Sequence, residues 1–475
     1  MINKTQHTID IIGAGLAGSE AALQLAQRGF AVRLFEMRPH NQTVVHRSGN
    51  CAELVCSNSL KSTKPDSAAG MLKQELESLG SQVLRCAYEN RVAAGGALAV
   101  DREKFSQAVT DLIEKDPAIT LVKAEVVGLT AQGAVLVIDD SIDEPYAPFG
   151  PAQAIIVASG PLTSESLAGF MQSLTGQDHM AFYDAAAPVV MADSLDHSRV
   201  FSQSRYEDEG QGDYLNAPFD KEEYEAFITE LIDAQRVIKR DFEGSDLFQA
   251  CQPIEEIARK GFDAPRFGPL KPVGLTDPAT GRRPWAVVQL RAEDAHKQSF
   301  NLVGFQTNLT FPEQKRVFQM IPGLEHAEFA RYGVMHRNTF IDAPHLLTST
   351  LQLITDQAQE LLVPVFVAGQ FGGTEGYCEA IASGLYASLA VAACVQGIPM
   401  HPLPKESAFG ALIAYATNED TVDYQPMHVN FGIMEPLDPP VRNKRQRYAA
   451  YAERGACAMS TYVDQLCEQG LMEKN

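Results

Sequence analysis

Two cysteines, one glycine-rich turn and one acidic strand end carry the chemistry legible in this chain. Cys56 stands in Ala52-Glu53-Leu54-Val55-Cys56-Ser57-Asn58-Ser59-Leu60, where a polar run after an apolar pair reads as a loop. Cys251 stands in Phe248-Gln249-Ala250-Cys251-Gln252-Pro253. A thiolate is a soft nucleophile, suited to adding to an activated double bond. Taken alone, a buried cysteine is more often inert packing. The 8 cysteines are sparse and form no CxxC pair. A disulfide scaffold or zinc ribbon is therefore disfavoured, and a reducing, cytoplasmic location is expected. His46, Cys51 and Cys56 fall short of the four ligands of a structural metal site, so no metal is expected.

The glycine turn is Gly13-Ala14-Gly15-Leu16-Ala17-Gly18. It follows an apolar run, Thr8–Ile12, and precedes a helical pattern with Ala17, Ala21 and Leu25 on one face. Gly13 permits the tight turn, Gly15 lets backbone approach a pyrophosphate, and Gly18 lets helix and strand pack closely. Free N–H groups at the helix start, with the helix dipole, favour phosphate. Glu36 ends the next strand, Ala31–Glu36, where an acid accepts hydrogen bonds from ribose hydroxyls. Dinucleotide binding is the reading, with FAD or NAD open at this point. Two later segments favour FAD. Ala154–Gly160 (AIIVASG) resembles the flavoprotein strand that ends in an Ala-Thr-Gly-like turn. Residues 365–384 (VFVAGQFGGTEGYCEAIASG) resemble the late flavoprotein segment, which brings backbone and a helix N-terminus to the flavin. No second GxGxxG follows a strand, so NADPH or NADH is expected to bind only transiently.

The elements that must position these groups form a split arrangement. Strands are expected at Thr120–Gly128, Gly133–Asp139 and Ala154–Ala158. From about 175 to 345 the texture changes to polar helices, such as Lys221–Glu243, between loops rich in Pro and Gly. Val363–Ala368 and a small-residue helix then restore the first texture. The expected fold is α/β: an FAD-binding Rossmann-like domain of glutathione-reductase type, split by an inserted α+β domain. The first part covers 1–172, the insertion 173–345, and the second part, with C-terminal helices, 346–475. Ala380–Pro399 has the length of a membrane span but is mostly Ala, Ser and Gly, so a tightly packed interior helix is expected. No signal peptide is read at the N-terminus, and no membrane role is expected.

Several runs together are highly specific: GAGLAGSEAA (13–22), EMRP (36–39), AELVCSNSL (52–60), AGGALAVDR (94–102), SGPLTSESL (159–167), FYDAAAPVV (182–190), KPVGL (271–275), RYGVMHRNTF (331–340) and EGYCEAIASGL (375–385). In these the chain resembles the folate- and FAD-dependent tRNA (uracil-5-)-methyltransferases of the TrmFO type, over nearly its whole length. It is more distantly similar to the GidA type. The resemblance implies that a methylene group of 5,10-methylenetetrahydrofolate passes, through the flavin, to C5 of a T-loop uridine, with NADPH or NADH completing the methyl. It implies Cys56 and Cys251 as the catalytic cysteines. Cys251 is assigned as the nucleophile at uracil C6 and Cys56 is placed nearer the flavin. Arg38, Gly369, Gln370, Glu375 and Gly376 join Gly13 to Gly18 and Glu36 as cofactor-binding candidates.

Three alternatives remain at this level. A paralogue acting on ribosomal RNA carries the same motifs. A flavin-containing RNA-binding protein without methyl transfer has no need of both cysteines. A small-molecule FAD oxidoreductase turns over NADPH without RNA. His336 and Arg337 are candidates for folate or flavin contact, and Lys271 for a phosphate. Arg102 is either a turn residue near the cofactor or a surface ion pair. The net charge, 39 − 60 = −21, repels phosphate backbones. RNA binding therefore requires local basic patches: Arg442-Asn443-Lys444-Arg445-Gln446-Arg447 followed by Tyr448, and smaller ones at Lys239-Arg240 and Arg282-Arg283. The nicotinamide preferred and the oligomeric state are not legible.

Overall fold

A computed structural model of the chain describes residues 7–43, 45–139, 142–176, 180–205, 212–238, 252–421 and 424–473. Cys251, Lys239 and Arg240 lie outside the described residues, as do the side chains of His336 and Arg337.

Short β-branched runs build a five-stranded sheet. In space its strands run Val365–Val367, Ala154–Val157, Thr8–Ile12, Ala31–Glu36 and Ile119–Lys123, all parallel. Helices cover parallel sheets on both faces, which is why Ile9, Ile11, Leu34, Ile155 and Val367 are all buried. Charge is also buried in this sheet. Asp10 is paired with Arg33 on the neighbouring strand at 2.5 Å, directly opposite it in register. The strand order reverses beside Thr8–Ile12, and open α/β sheets bind ligands at such a switch point.

Two helices cross over that point. Leu16–Gln27 follows the glycine turn, and Tyr377–Gln396 follows the last parallel strand. A Cβ at Gly384 would collide with the backbone of Ala17, so the missing side chain sets how closely they pack. Tyr377–Gln396 is long and apolar enough to cross a membrane by composition, yet most of it is buried inside the protein. Its small residues allow that tight packing.

A second apolar core lies between Ala187 and Ala327, around Phe219, Tyr224, Phe227, Phe305 and Phe318. It packs on a six-stranded antiparallel sheet that includes Tyr214–Phe219, Ala286–Ala292 and Ser299–Leu302. A two-stranded antiparallel ribbon, Met180–Ala185 with Met335–Phe340, carries the chain out to this unit and back.

Two expected elements differ. The strand over 120–128 breaks at Ala124, whose N–H makes the last bond to Glu36 O. Ile119–Lys123 stays in the parallel sheet, whereas Glu125–Leu129 pairs with Val135–Asp139 in a separate antiparallel sheet. The helix from Lys221 ends at Asp233. Ala234 turns extended, and Arg236 bridges to Leu309 instead.

Candidate active site

The glycine turn closes between the first strand and its helix as the spacing requires. Gly13 has φ +101°, and a Cβ there would stand 2.6 Å from Ala158 O. A Cβ on Gly18 would overlap Gly13 O, so Gly18 lets the helix sit on the strand end. Gly13, Gly15, Leu16 and Ala17 line a cleft of about 360 Å³, within the usual range for small-molecule sites. Glu36, Arg38, Gly369, Gln370, Glu375 and Gly376 line it too. Ala14 and Gly18 do not; they support the turn from behind. Ala14 N donates to Glu36 Oε2 at 3.1 Å, and Ala14 O accepts from Ala52 N at 2.9 Å.

Glu36 is more engaged than its position suggested. Arg38 donates to it from Nε (2.7 Å), Nη2 (3.0 Å) and its own backbone N–H (3.0 Å). With Ala14 N, four bonds occupy the carboxylate's acceptor capacity. Burial pushes its pKa up, but the Arg38 hydrogen bonds and charge outweigh this and hold the carboxyl below its ordinary range. Arg38 is in turn tied to Glu53 at 3.1 Å. A ribose hydroxyl bonding to Glu36 must displace one of these partners.

The far end of the cleft is built from Gly369 to Ala380. Gly369 (φ +78°) and Gly376 (φ +113°) hold backbone conformations that side chains rarely adopt. Gln370 Nε2 is a buried donor with no partner among the described residues. Glu379 is buried; its Oε1 takes the Lys61 ammonium at 3.1 Å and Val429 N at 3.2 Å. His428 lines the same wall. Burial and then the Lys61 charge lower its pKa, so the ring stays neutral at pH 7.

Cys56 is half-buried on the cleft wall, with Sγ 3.7 Å from Ala185 O. Its loop is clamped from three sides. The Tyr377 hydroxyl accepts from Cys56 N (2.8 Å) and Ser57 N (3.1 Å). Arg102 donates to Leu54 O (2.7 Å) and Cys56 O (2.9 Å) and pairs with Glu293 of the second unit. Arg331 donates to Cys56 O at 3.1 Å. Burial, then repulsion from Arg102, lowers the Arg331 pKa to about 10, still far above neutrality. Asn58 finishes the clamp. It donates to Val100 O (3.1 Å) and Ala292 O (2.9 Å) and accepts from Arg291 at 2.7 Å. Two guanidinium groups, Arg102 and Arg331, thus meet at the Cys56 carbonyl and fix the loop on the cleft wall.

Arg102 is therefore a buried clamp, not a surface ion pair. Asp101 caps its helix, accepting from Lys104 N at 3.2 Å. Cys51 is fully buried and burial raises its pKa to about 11, so it is a packing thiol. Lys271 is exposed and does not line the cleft. Tyr377, Arg331, Lys61 and Glu379 escaped the reading of the chain as site residues. Arg331 opens the RYGVMHRNTF run and Tyr377 and Glu379 lie inside the EGYCEAIASGL run, which was the available sign.

Fold and cleft define a dinucleotide-binding protein with an α/β unit that holds the cleft and a second, α+β unit joined to it at the Cys56 loop. The family model described as Glucose inhibited division protein A matches residues 8–399. Two solved structures of Aquifex aeolicus GidA superpose with TM-scores of 0.69 and 0.70 at 17% identity, covering 100% and 99% of this chain and 75% and 77% of theirs. The fold is thus the GidA flavoprotein fold, a Rossmann-like FAD-binding domain with an α+β insertion. Among curated relatives, the methylenetetrahydrofolate–tRNA-(uracil-5-)-methyltransferase TrmFO of Heliobacterium modesticaldum is 49% identical over 96% of this chain and 98% of its own. Those of Pelobacter propionicus and Symbiobacterium thermophilum are 47% identical over 97% of this chain, and over 96% and 98% of theirs. The chain belongs to the TrmFO family.

Proposed function

We propose that this protein methylates C5 of uridine in the T-loop of tRNA, taking the carbon from 5,10-methylenetetrahydrofolate and two electrons from NADPH or NADH in the cytoplasm. The observation that carries it is Cys56, a half-buried thiol on the wall of a cleft that begins at a dinucleotide turn. Family membership over nearly the whole chain supports the same reading.

The cleft fits FAD. Gly15, with nothing within 4 Å of where a Cβ would stand, leaves room for a pyrophosphate, Glu36 and Arg38 stand at the ribose end, and the unpartnered Gln370 Nε2 and the start of helix Tyr377–Gln396 stand at the other. Bound FAD supplies the relay of carbon and hydride between folate, nicotinamide and base. The chain's own groups do the rest. Cys251 thiolate adds to uracil C6, which makes C5 nucleophilic. C5 attacks the delivered methylene and forms the new C–C bond; a base takes the C5 proton as the methylene's bond to its carrier breaks, hydride adds to the resulting exocyclic methylene to give the methyl, and the thiolate departs from C6 as the C5–C6 double bond re-forms. Cys56, held by Arg102, Arg331 and Tyr377, stands beside the reacting carbon as its guard or as the base for the C5 proton. The role of Cys251 is carried over from the resemblance to the family. The division of the chain at 173 and 345 belongs to the same reading, supported by the separate core between Ala187 and Ala327.

The test is direct. Flavin-loaded protein is incubated with unmodified tRNA, ¹³C-labelled methylenetetrahydrofolate and NADPH, and the nucleosides are analysed by mass spectrometry. Label in T-loop 5-methyluridine is expected; no label overturns the proposal.

A further inference from the structure

The protein carries 60 acidic against 39 basic side chains, yet one surface runs against this excess. The C-terminal helix Lys444–Glu468 is capped by Asn443, which accepts from Gln446 N at 3.1 Å. Arg442, Lys444 and Arg445 at this start are exposed, and Arg447 follows half-buried. No acid stands in the first turn. None of the four cations has a carboxylate partner among the described residues. Cations at the positive end of a helix dipole are disfavoured, so helix stability does not account for them.

The patch has a built floor. Tyr448 stacks on Phe431 with ring centroids 4.0 Å apart and planes inclined by 16°. The Lys444 ammonium and the Arg447 guanidinium stand 5.5 and 5.7 Å from the Tyr448 centroid. Arg454 straps the segment after Phe431 to the helix through Glu435 O (2.8 Å) and Pro436 O (3.2 Å). That segment comes directly from the cleft. Met427 bonds Gly373 and Glu375, His428 lines the cleft, and Val429 N reaches Glu379. Phe431 is three positions after His428, a reach of at most ~10 Å.

We propose that Arg442, Lys444, Arg445 and Arg447 form a phosphate-backbone docking surface for the RNA substrate, placed at the rim so that a nucleotide beside the bound strand enters the cleft. The inference rests on the function proposed above and adds where the RNA is held. Phosphate contacts position a nucleic acid without reading its sequence, which suits a cluster of long, exposed cations. Each neutralised phosphate also releases counterions, so binding through this surface is salt-sensitive.

The experiment measures binding of unmodified tRNA transcript to the flavin-loaded full chain across a salt series. The variant is Arg442→Gln/Lys444→Gln/Arg445→Gln. Kd is expected to rise roughly tenfold or more, and the slope of log Kd against log salt to fall by about 2. Flavin absorbance, melting temperature and the KM for methylenetetrahydrofolate are expected to stay as in the parent. A charge-keeping variant, Arg442→Lys/Arg445→Lys, is expected to bind nearly as the parent does. An unchanged Kd in the Gln variant overturns the inference. So does a raised KM for folate with unchanged tRNA binding, which assigns the patch to that co-substrate's carboxylates. Equal loss in the Lys and Gln variants also overturns it. A parent protein that binds no tRNA at all overturns the function itself, a separate result.

Discussion

At the scale of the residue, the site depends on groups that hold Cys56 rather than on Cys56 alone. Arg102 makes the most bonds of these: its charge is buried, desolvation opposes it, and Glu293 leads the neighbours that together keep its pKa raised. Arg102→Met leaves Glu293 unpaired and Leu54 O without its donor, while Cys56 O keeps only Arg331. Breaking a buried pair on one side costs about 3–5 kcal/mol. A lowered urea midpoint and a large drop in methyl transfer are expected. The two cysteines divide differently. With tRNA carrying 5-fluorouridine, Cys251→Ala is expected to lose the covalent protein–RNA adduct seen on denaturing gels. An adduct that survives in Cys251→Ala and vanishes in Cys56→Ala reverses the assignment. Glu255, close after Cys251 in the chain, gives a pH dependence. It is fully buried, and burial raises its pKa from 4.5 to about 7. The folded state binds the proton more tightly, so this stability is full below about pH 4.5 and is lost as pH rises through 7. The loss is on the order of 3 kcal/mol by pH 8. Glu255→Gln keeps the bonds to Thr307 and Asn308 N. Its urea midpoint is expected to exceed the parent's at pH 8 and to vary less between pH 5 and 8.

At the scale of the element, the site is the meeting of strand ends with helix starts. The turn 13–18 was legible because a glycine at each of three positions has no other economical explanation than close backbone approach. The Cys56 loop was legible as a loop from its Ser-Asn-Ser run. Its clamp was not, because Arg102, Arg331 and Tyr377 reach it from elements far apart in sequence. The crossing of Leu16–Gln27 with Tyr377–Gln396 ties both ends of the cleft together. Gly384→Leu forces these helices apart, and overpacking of this kind costs about 1–3 kcal/mol. Flavin release is expected, read as lost flavin absorbance after gel filtration, together with a lower melting temperature.

At the scale of the whole molecule, two cores share one active-site loop. The ribbon Met180–Ala185 with Met335–Phe340 joins them covalently, while Arg102–Glu293, Asn58–Arg291 and Arg331–Cys56 join them at the site. Loosening the join therefore disturbs the chemistry before it unfolds either core. In Glu293→Gln, hydrogen exchange is expected to quicken at residues 52–60 while the parallel sheet keeps its protection. Equal protection of that loop in parent and variant rules out the shared clamp. Net charge acts at this scale too. A chain at −21 repels RNA everywhere except on its few basic surfaces.

What the sequence determined by itself was local and periodic: the βαβ opening with its phosphate turn, the buried strands, the change of texture near 175 and its return near 363. Glycine placement and apolar periodicity report backbone conformation and burial directly, so these features needed no fold to be read. Long-range pairing is different. That Arg102 is a buried clamp, that Asn58 is held by Arg291, and that Tyr377 receives the amide of Cys56 depend on residues up to 321 positions apart. Only the tertiary structure decided these, because a buried polar group takes whichever partner the packed chain brings within 3 Å, and spacing along the sequence does not encode that choice.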